Sequence, residues 1–317
     1  MNAILLDADG DEAEPRTVVP RRVRLPRAAV DRFAALTGVP SPAGQMLTPD
    51  TSLDGLGERL GEVVGGSEPV EAPATGVSDH DETLAAAGLV DAGVPTEQGR
   101  AVLTVWHAPA LAVELELLVS LARGKVRARS WHRNLDDWVV CLSTGDGRVF
   151  ELTWLSADDW WLELGRAAHV DTRTLRPAPD AGPVPDVIET PWELLLATGE
   201  AVQRRRPELL DQMVSDHSGA TIAGDRLDSL ETADDGDVRR WHEQLESTSR
   251  GRLHAAVMGR SGRGRPGAGI VEWVLLHDGW RSLTPFTRDG STMVRIERMG
   301  AVDLPRALAV RAAEVTS

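Results

Sequence analysis

The sequence lacks the residues on which several chemistries depend. It has no tyrosine, a single cysteine, Cys141, and a single lysine, Lys125, against 33 arginines. One cysteine excludes an intrachain disulfide and a cysteine-based zinc cluster, which fits a reducing compartment. Lys125 lies in a basic run, so it is a poor candidate for a Schiff-base enzyme. Val126 follows it, so the phosphate-binding loop G-x-x-x-x-G-K-[ST] is absent.

Long apolar runs are also missing. No 18 consecutive residues are apolar, and the first residues, Met1–Asp7, carry neither a basic segment nor an adequate apolar stretch. We therefore expect no membrane insertion and a cytoplasmic location. The formal net charge is −15, which favours solubility and opposes nonspecific binding to nucleic acid.

Catalytic and metal-binding motifs are not found either. The eight histidines show neither H-x-x-x-H nor H-E-x-x-H spacing, and G-x-S-x-G does not occur. Adjacent aspartates fall at predicted turns and helix starts, where Asp is expected for capping. We predict no catalytic residue, no metal and no cofactor. Two alternatives stay open: a hydrolase or transferase whose site is built from distant Asp, Glu and His, and a regulatory or ligand-sensing module.

At 317 residues, the chain has the length of two domains or of one domain built from two similar halves. An acidic leader occupies residues 1–17. A first half of helices and strands is predicted over 18–176, a proline-rich linker over 177–190, and a second such half over 191–317.

Hydrophobic periodicity predicts the elements of the first half. Helices are predicted over 28–36, 53–64, 78–88 and 96–106. Strands are predicted over 19–26, 113–117, 138–142, 148–154 and 160–164, and residues 126–131 form a strand or an ordered loop. The sequence Thr144–Gly147 is typical of a hairpin turn.

The second half repeats this order. Helices are predicted over 191–204, 207–217, 238–247 and 305–315, strands over 253–257, 269–276, 280–284 and 291–298, and a basic flexible loop over 259–268. Aligning Trp138 with Trp273, an offset of 135, brings the two patterns together. We therefore predict an internal duplication.

The order of elements resembles that of a known family. Residues 83–103, TLAAAGLVDAGVPTEQGRAVL, lead through Trp106 and Pro109 to the alternating strand at 113–117. Residues 23–36, where a short strand enters a helix, and the turn at 278–280 fit as well. This pattern, over residues 18–315, resembles the EspG family of type VII (ESX) secretion-associated chaperones.

The resemblance implies an α+β fold with a pseudo-twofold duplicated unit, in which a central antiparallel β-sheet is flanked by helical bundles. It also implies a non-enzymatic role: binding helical secreted substrates of the PE–PPE type, or other ESX clients, and keeping them soluble for export. We allow for a homodimer as well.

Two groups of residues are candidates for binding such a partner. The second helical block is rich in apolar side chains, and two basic segments occupy similar places in the two halves. Core packing and solvated hairpin tips are the competing interpretations. The candidates are Leu194, Leu195, Leu196, Leu209, Leu210, Met213, Arg127, Arg129, Trp131, Arg260, Arg263 and Arg265.

Overall fold

The structure is a computed structural model of the chain, and it describes residues 21–36, 38, 41, 77–178, 182–260 and 266–317. The predicted leader over 1–17 and the predicted helix over 53–64 lie outside the described residues.

Eight α-helices occur among the described residues, and several begin at a capping side chain. The Thr96 hydroxyl accepts a hydrogen bond from the Gly99 N–H (3.0 Å), and Ser156 and Asp234 cap two later helices in the same way. The helices are α1 (Arg27–Ala35), α2 (Val77–Ala86), α3 (Glu97–His107), α4 (Ala157–Ala167), α5 (Trp192–Gln203), α6 (Pro207–Asp216), α7 (Asp235–Ser247) and α8 (Leu304–Thr316).

The strands form one large antiparallel sheet and a small hairpin. The hairpin is β2 (Val90–Asp91) with β3 (Val94–Pro95). The strands of the first half in the sheet are β1 (Arg21–Pro26), β4 (Leu111–Leu121), β5 (Gly124–Leu135), β6 (Trp138–Thr144) and β7 (Val149–Ser156). Those of the second half are β8 (Val187–Pro191), β9 (Ile222–Gly224), β10 (Glu231–Thr232), β11 (Gly251–Arg260), β12 (Pro266–Leu276), β13 (Gly279–Arg288) and β14 (Ser291–Met299).

The strand order reveals a pseudo-twofold axis between β4 and β11. Among the described residues the sheet runs β1-β7-β6-β5-β4-β11-β12-β13-β14-β8-β9-β10. Reading outwards from the centre, β4, β5, β6, β7 and β1 meet the same neighbours as β11, β12, β13, β14 and β8. The helices follow the same order in both halves, from α1 to α4 and from α5 to α8. The predicted α+β fold with a duplicated unit and a central antiparallel sheet is confirmed.

The two faces of the sheet are covered differently. Directly opposed residues of antiparallel strands share a face. On one face, α4 and α8 cover the middle of the sheet, around buried Leu115, Ala255 and Trp273. On the other, α1, α2 and α3 cover the outer strands of the first half, and α5, α6 and α7 cover those of the second.

One strand prediction is wrong: residues 160–164 belong to helix α4. Trp160, Leu162 and Leu164 alternate as in a strand, but Trp160 and Leu164 are four residues apart and share the buried face of a helix. Leu162 points outwards and is 66% exposed. The Ser156 hydroxyl, which accepts a hydrogen bond from the Asp159 N–H (3.1 Å), starts the helix.

The alignment of Trp138 with Trp273 is also wrong, because it pairs β6 with β12. The equivalent of β12 is β5, which runs as a strand through the whole of 124–135, and the equivalent of β6 is β13. Parts of two predicted irregular segments are strands as well: 187–190 lies in β8, while 259–260 and 266–268 extend β11 and β12. The proposed boundaries of the two halves stay a prediction.

Candidate docking surface

Between the two helical groups, the face that carries α1–α3 and α5–α7 has a stretch that we call the central strip. The described helices reach only its outer edges, where Trp131, Arg133 and Val274 are buried. The strip spans β5, β4, β11 and β12, and the strand register arranges its side chains in four rows about 7 Å apart. The rows are, first, Arg127, Leu118, Arg252 and Val274; second, Arg129, Glu116, His254 and Glu272; third, Trp131, Glu114, Ala256 and Ile270; fourth, Arg133, Ala112, Met258 and Ala268.

Much of the strip is open to solvent. Ile270 is 43% exposed, and Arg127 is exposed. Leu118, Ala256 and Met258 are half-buried, whereas Val119, Ala255 and Val257 on the same strands are buried. A sheet face that is half open and partly apolar is suited to covering by another protein.

The second row carries charges that are paired across strands. Glu116 accepts hydrogen bonds from Arg127 and from Arg129 (3.3 Å). His254 Nδ1 lies 3.3 Å from Glu272 Oε1. This histidine also stands directly opposite Glu116 in the β4–β11 register. The second row is therefore a line of alternating basic and acidic groups.

Three groups around the strip have perturbed pKa values. The hydrogen bond from His254 lowers the pKa of Glu272. Burial lowers the pKa of Arg252. Glu246, on α7 beside the strip, has its pKa raised to about 7 by burial, and the charge of Arg252 opposes the shift only in part. The ionisation of Glu246 is therefore poised near neutral pH.

The predicted apolar candidates in the second helical block are mostly core residues. Leu194, Leu195 and Leu210 are buried in the interiors that α5, α6 and α7 share. Leu209 and Met213 are half-buried and pack against the same interior, and Leu196 is half-buried. Their apolar spacing reflects packing between helices, so we leave these leucines and this methionine out of the docking surface.

The basic candidates do not lie together in the structure. Arg127, Arg129 and Trp131 all lie on the strip, but Trp131 is buried in the core under the first helical group. Arg260 is exposed at the opposite end of the sheet. Arg263 and Arg265 lie outside the described residues.

Four further residues of the strip, His254, Met258, Ile270 and Glu272, are not among the candidates predicted from the sequence. The signal was there in part, since β11 alternates Leu253, Ala255 and Val257 with other side chains. What the sequence could not give is the pairing of β4 with β11, which places Glu116 beside His254.

A polar cavity of about 520 Å³ lies away from the strip, where β13 begins and β14 ends. Asp186, Asp278 and His169 line it, but Asp186 pairs with Arg298 (3.2 Å) and Thr172 supplies the only lining hydroxyl side chain among the described residues.

The described part of the chain contains neither a metal-ligand cluster nor a membrane-spanning helix. No group of three or more His, Cys, Asp or Glu side chains there is arranged to hold a metal ion. No helix in the same residues is long and apolar enough to cross a membrane.

The chain matches solved structures, but neither a family model nor a curated protein. No protein-family model and no curated protein matches the sequence. Fourteen chains of solved structures match the fold. One comes from the structure of the Mycobacterium tuberculosis type VII secretion system chaperone EspG5 in complex with a PE25–PPE41 dimer. It aligns with a TM-score of 0.52 over 94% of this chain and 97% of that chain, at 13% identity.

The chain has the fold of EspG5. The resemblance inferred from the pattern of helices and strands is thereby confirmed at the level of the fold, and the low identity explains why sequence models find nothing. The EspG5-like fold places the central strip between two helical groups, in the middle of the duplicated sheet.

Proposed function

We propose that the chain is a non-enzymatic cytoplasmic chaperone that binds a helical secreted substrate of the PE–PPE type on the central strip. The observation that carries the proposal is the half-open strip itself, in a fold shared with a chaperone solved in complex with a PE25–PPE41 dimer. Masking a partner's apolar surface requires a complementary apolar surface and no catalytic group.

The third and fourth rows supply the apolar contact. Ile270, Ala256 and Met258 lie next to one another on adjacent strands, and small Ala112 and Ala268 flank them. A helical tip with two or three apolar side chains fits such a shallow patch, since its side chains can enter between the rows. The charged second row borders the patch and sets its polar rim.

The test is co-expression with PE–PPE-type pairs encoded in the genome of origin. We expect one pair that is insoluble alone to become soluble with this chain and to elute with it in gel filtration. The elution volume of the chain alone also distinguishes a monomer from a homodimer. If every pair stays insoluble, or becomes soluble without forming a complex, the proposed function is wrong.

A pair of variants locates the binding surface. Ile270→Asp places a charge in the third row and should abolish the complex. Val310→Asp makes the same change at a 52%-exposed valine on α8, across the sheet, and should leave the complex intact. Equal losses in both variants would exclude the strip as the docking surface.

A further inference from the structure

Beyond its first row, the central strip ends in positive charge. Lys125 stands opposite Ser120 in the β4–β5 register. The N–H of Ser120 donates to the carbonyl of Arg250 (2.6 Å), and the N–H of Arg176 donates to the carbonyl of Ser120 (3.1 Å). Three basic residues from three separate segments therefore meet around the end of β4.

The guanidinium of Arg250 is held by carbonyl oxygens and not by a carboxylate. It donates to the carbonyls of Arg176 (2.7 Å) and Pro177 (2.9 Å). Burial and the neighbouring charge of Arg176 lower its pKa. A positive group beside another, without a counter-ion, is stabilised by any anion that approaches.

We call this region the basic end: Arg123, Lys125, Arg176 and Arg250, with Arg127 and Arg252 of the first row. In the part of the chain that the structure describes, the first four form no ion pair with a carboxylate. The chain as a whole carries a net charge of −15, so the charge of these four residues is opposite in sign to that of the whole chain.

The two ends of the strip therefore differ in chemical character along the strand direction. Its third and fourth rows carry the apolar side chains of Ala256, Ile270, Met258 and Ala268 together with one ion pair, Arg133 with Glu114 (2.7 Å). Its second row is mixed, and its first row leads into the basic end. Two residues along a strand advance about 7 Å, so the first row lies about 14 Å from the third, and Lys125 about 20 Å.

We propose that the partner docking on the central strip presents an apolar anchor to its third and fourth rows and a cluster of carboxylates to its basic end. The proposal rests on the proposed function and adds the chemistry of the partner. On a helix, a separation of 14 to 20 Å corresponds to about nine to thirteen residues between anchor and carboxylates.

Local and overall charge act in opposite directions on such a partner. The net negative charge of the chain repels an acidic protein at long range, while the basic end attracts its carboxylates at contact distance. The partner is therefore held in one orientation along the strip, because reversing it would place carboxylates over Ile270 and Met258. A nucleic acid would satisfy the basic end but offers no apolar anchor.

The test uses three designed helical peptides labelled for fluorescence anisotropy. Each has a leucine cluster at one end; eleven residues away, one has three glutamates, the second three lysines and the third three glutamines. We expect the glutamate peptide to bind about tenfold more tightly than the lysine peptide at low salt, and the difference to shrink at high salt.

Two variants with the same change of charge make the test specific. Lys125→Glu should weaken binding of the glutamate peptide about threefold to tenfold and strengthen binding of the lysine peptide. Arg306→Glu changes an exposed arginine on α8, across the sheet, and should alter neither.

Each outcome decides the proposal. Equal affinities for the three peptides, an effect of Arg306→Glu as large as that of Lys125→Glu, or no binding of any peptide would overturn it. Displacement of the glutamate peptide by single-stranded DNA, but not by the glutamine peptide, would assign the basic end to nucleic acid. None of these results depends on finding a PE–PPE-type client, so failure of the proposed function remains a separate outcome.

Discussion

The half-buried side chain of Glu246 makes the stability of the fold depend on pH in a direction unusual for an acid. Glu246 lies on α7, next to Leu245, which packs in the core against the sheet. Burial raises its pKa from 4.5 to about 7, more than the charge of Arg252 lowers it. Between these two values the folded chain holds a proton that the unfolded chain releases.

The direction in which stability changes with pH follows from that difference in bound protons. Because the folded state binds more protons between pH 4.5 and about 7, its stability falls as the pH rises through this window. A shift of this size corresponds to about 3 kcal/mol, gained fully below pH 4.5 and lost above pH 7. Glu246→Gln keeps the shape of the neutral group and cannot ionise, so it should remove this loss.

The measurement is urea unfolding followed by tryptophan fluorescence at pH 5, 6, 7 and 8. We expect Glu246→Gln to gain stability relative to the native chain as the pH rises, by most of 3 kcal/mol between pH 5 and pH 8. Glu243→Gln alters an exposed glutamate on the same helix and serves as the control. If the two variants follow the native chain in parallel at every pH, the argument from burial is refuted.

Three further predictions concern the scaffold. Gly99→Ala should cost about 2 kcal/mol or more in urea unfolding, because the new Cβ would lie 2.0 Å from the carbonyl oxygen of Leu89. Burial lowers the pKa of His242 to about 4, so the chain should lose about 1.4 kcal/mol of stability per pH unit as the pH falls from 6.5 to 4 and this histidine favours unfolding. In His242→Gln the slope of the free energy of unfolding against pH should be shallower by that amount. Ser156→Ala removes the cap of α4 and should lower the melting temperature by the equivalent of about 1 kcal/mol.

Local sequence patterns were sufficient to predict most of the helices and strands of the fold. Strands with one buried face, such as Leu111–Leu121, alternate clearly, and helices with a capping residue, such as α3 after Thr96, begin where the cap predicts. The segment at 160–164 failed because a short apolar alternation fits both a strand and one turn of a helix, and only the cap at Ser156 distinguishes them.

The proposed docking surface could not be predicted from local sequence patterns. Arg127 and Arg129 were predicted as candidates because they form a basic run, but the residues beside them on the strip come from β11 and β12, more than a hundred residues away. Apolar spacing in the second helical block suggested a surface that is largely core, since leucines that pack between helices and leucines that bind a partner follow the same period.

The pseudo-twofold axis gives a physical reason for the polarity of the strip. The axis passes between Leu115 and Ala255, which are paired at the middle of β4 and β11, and it exchanges the first row with the fourth. By this symmetry Arg252 is the equivalent of Ala112, and Arg127 that of Ala268. Two identical halves would have offered a partner the same surface in two opposite orientations. The differences between Arg252 and Ala112 and between Arg127 and Ala268 make the two orientations unequal in energy.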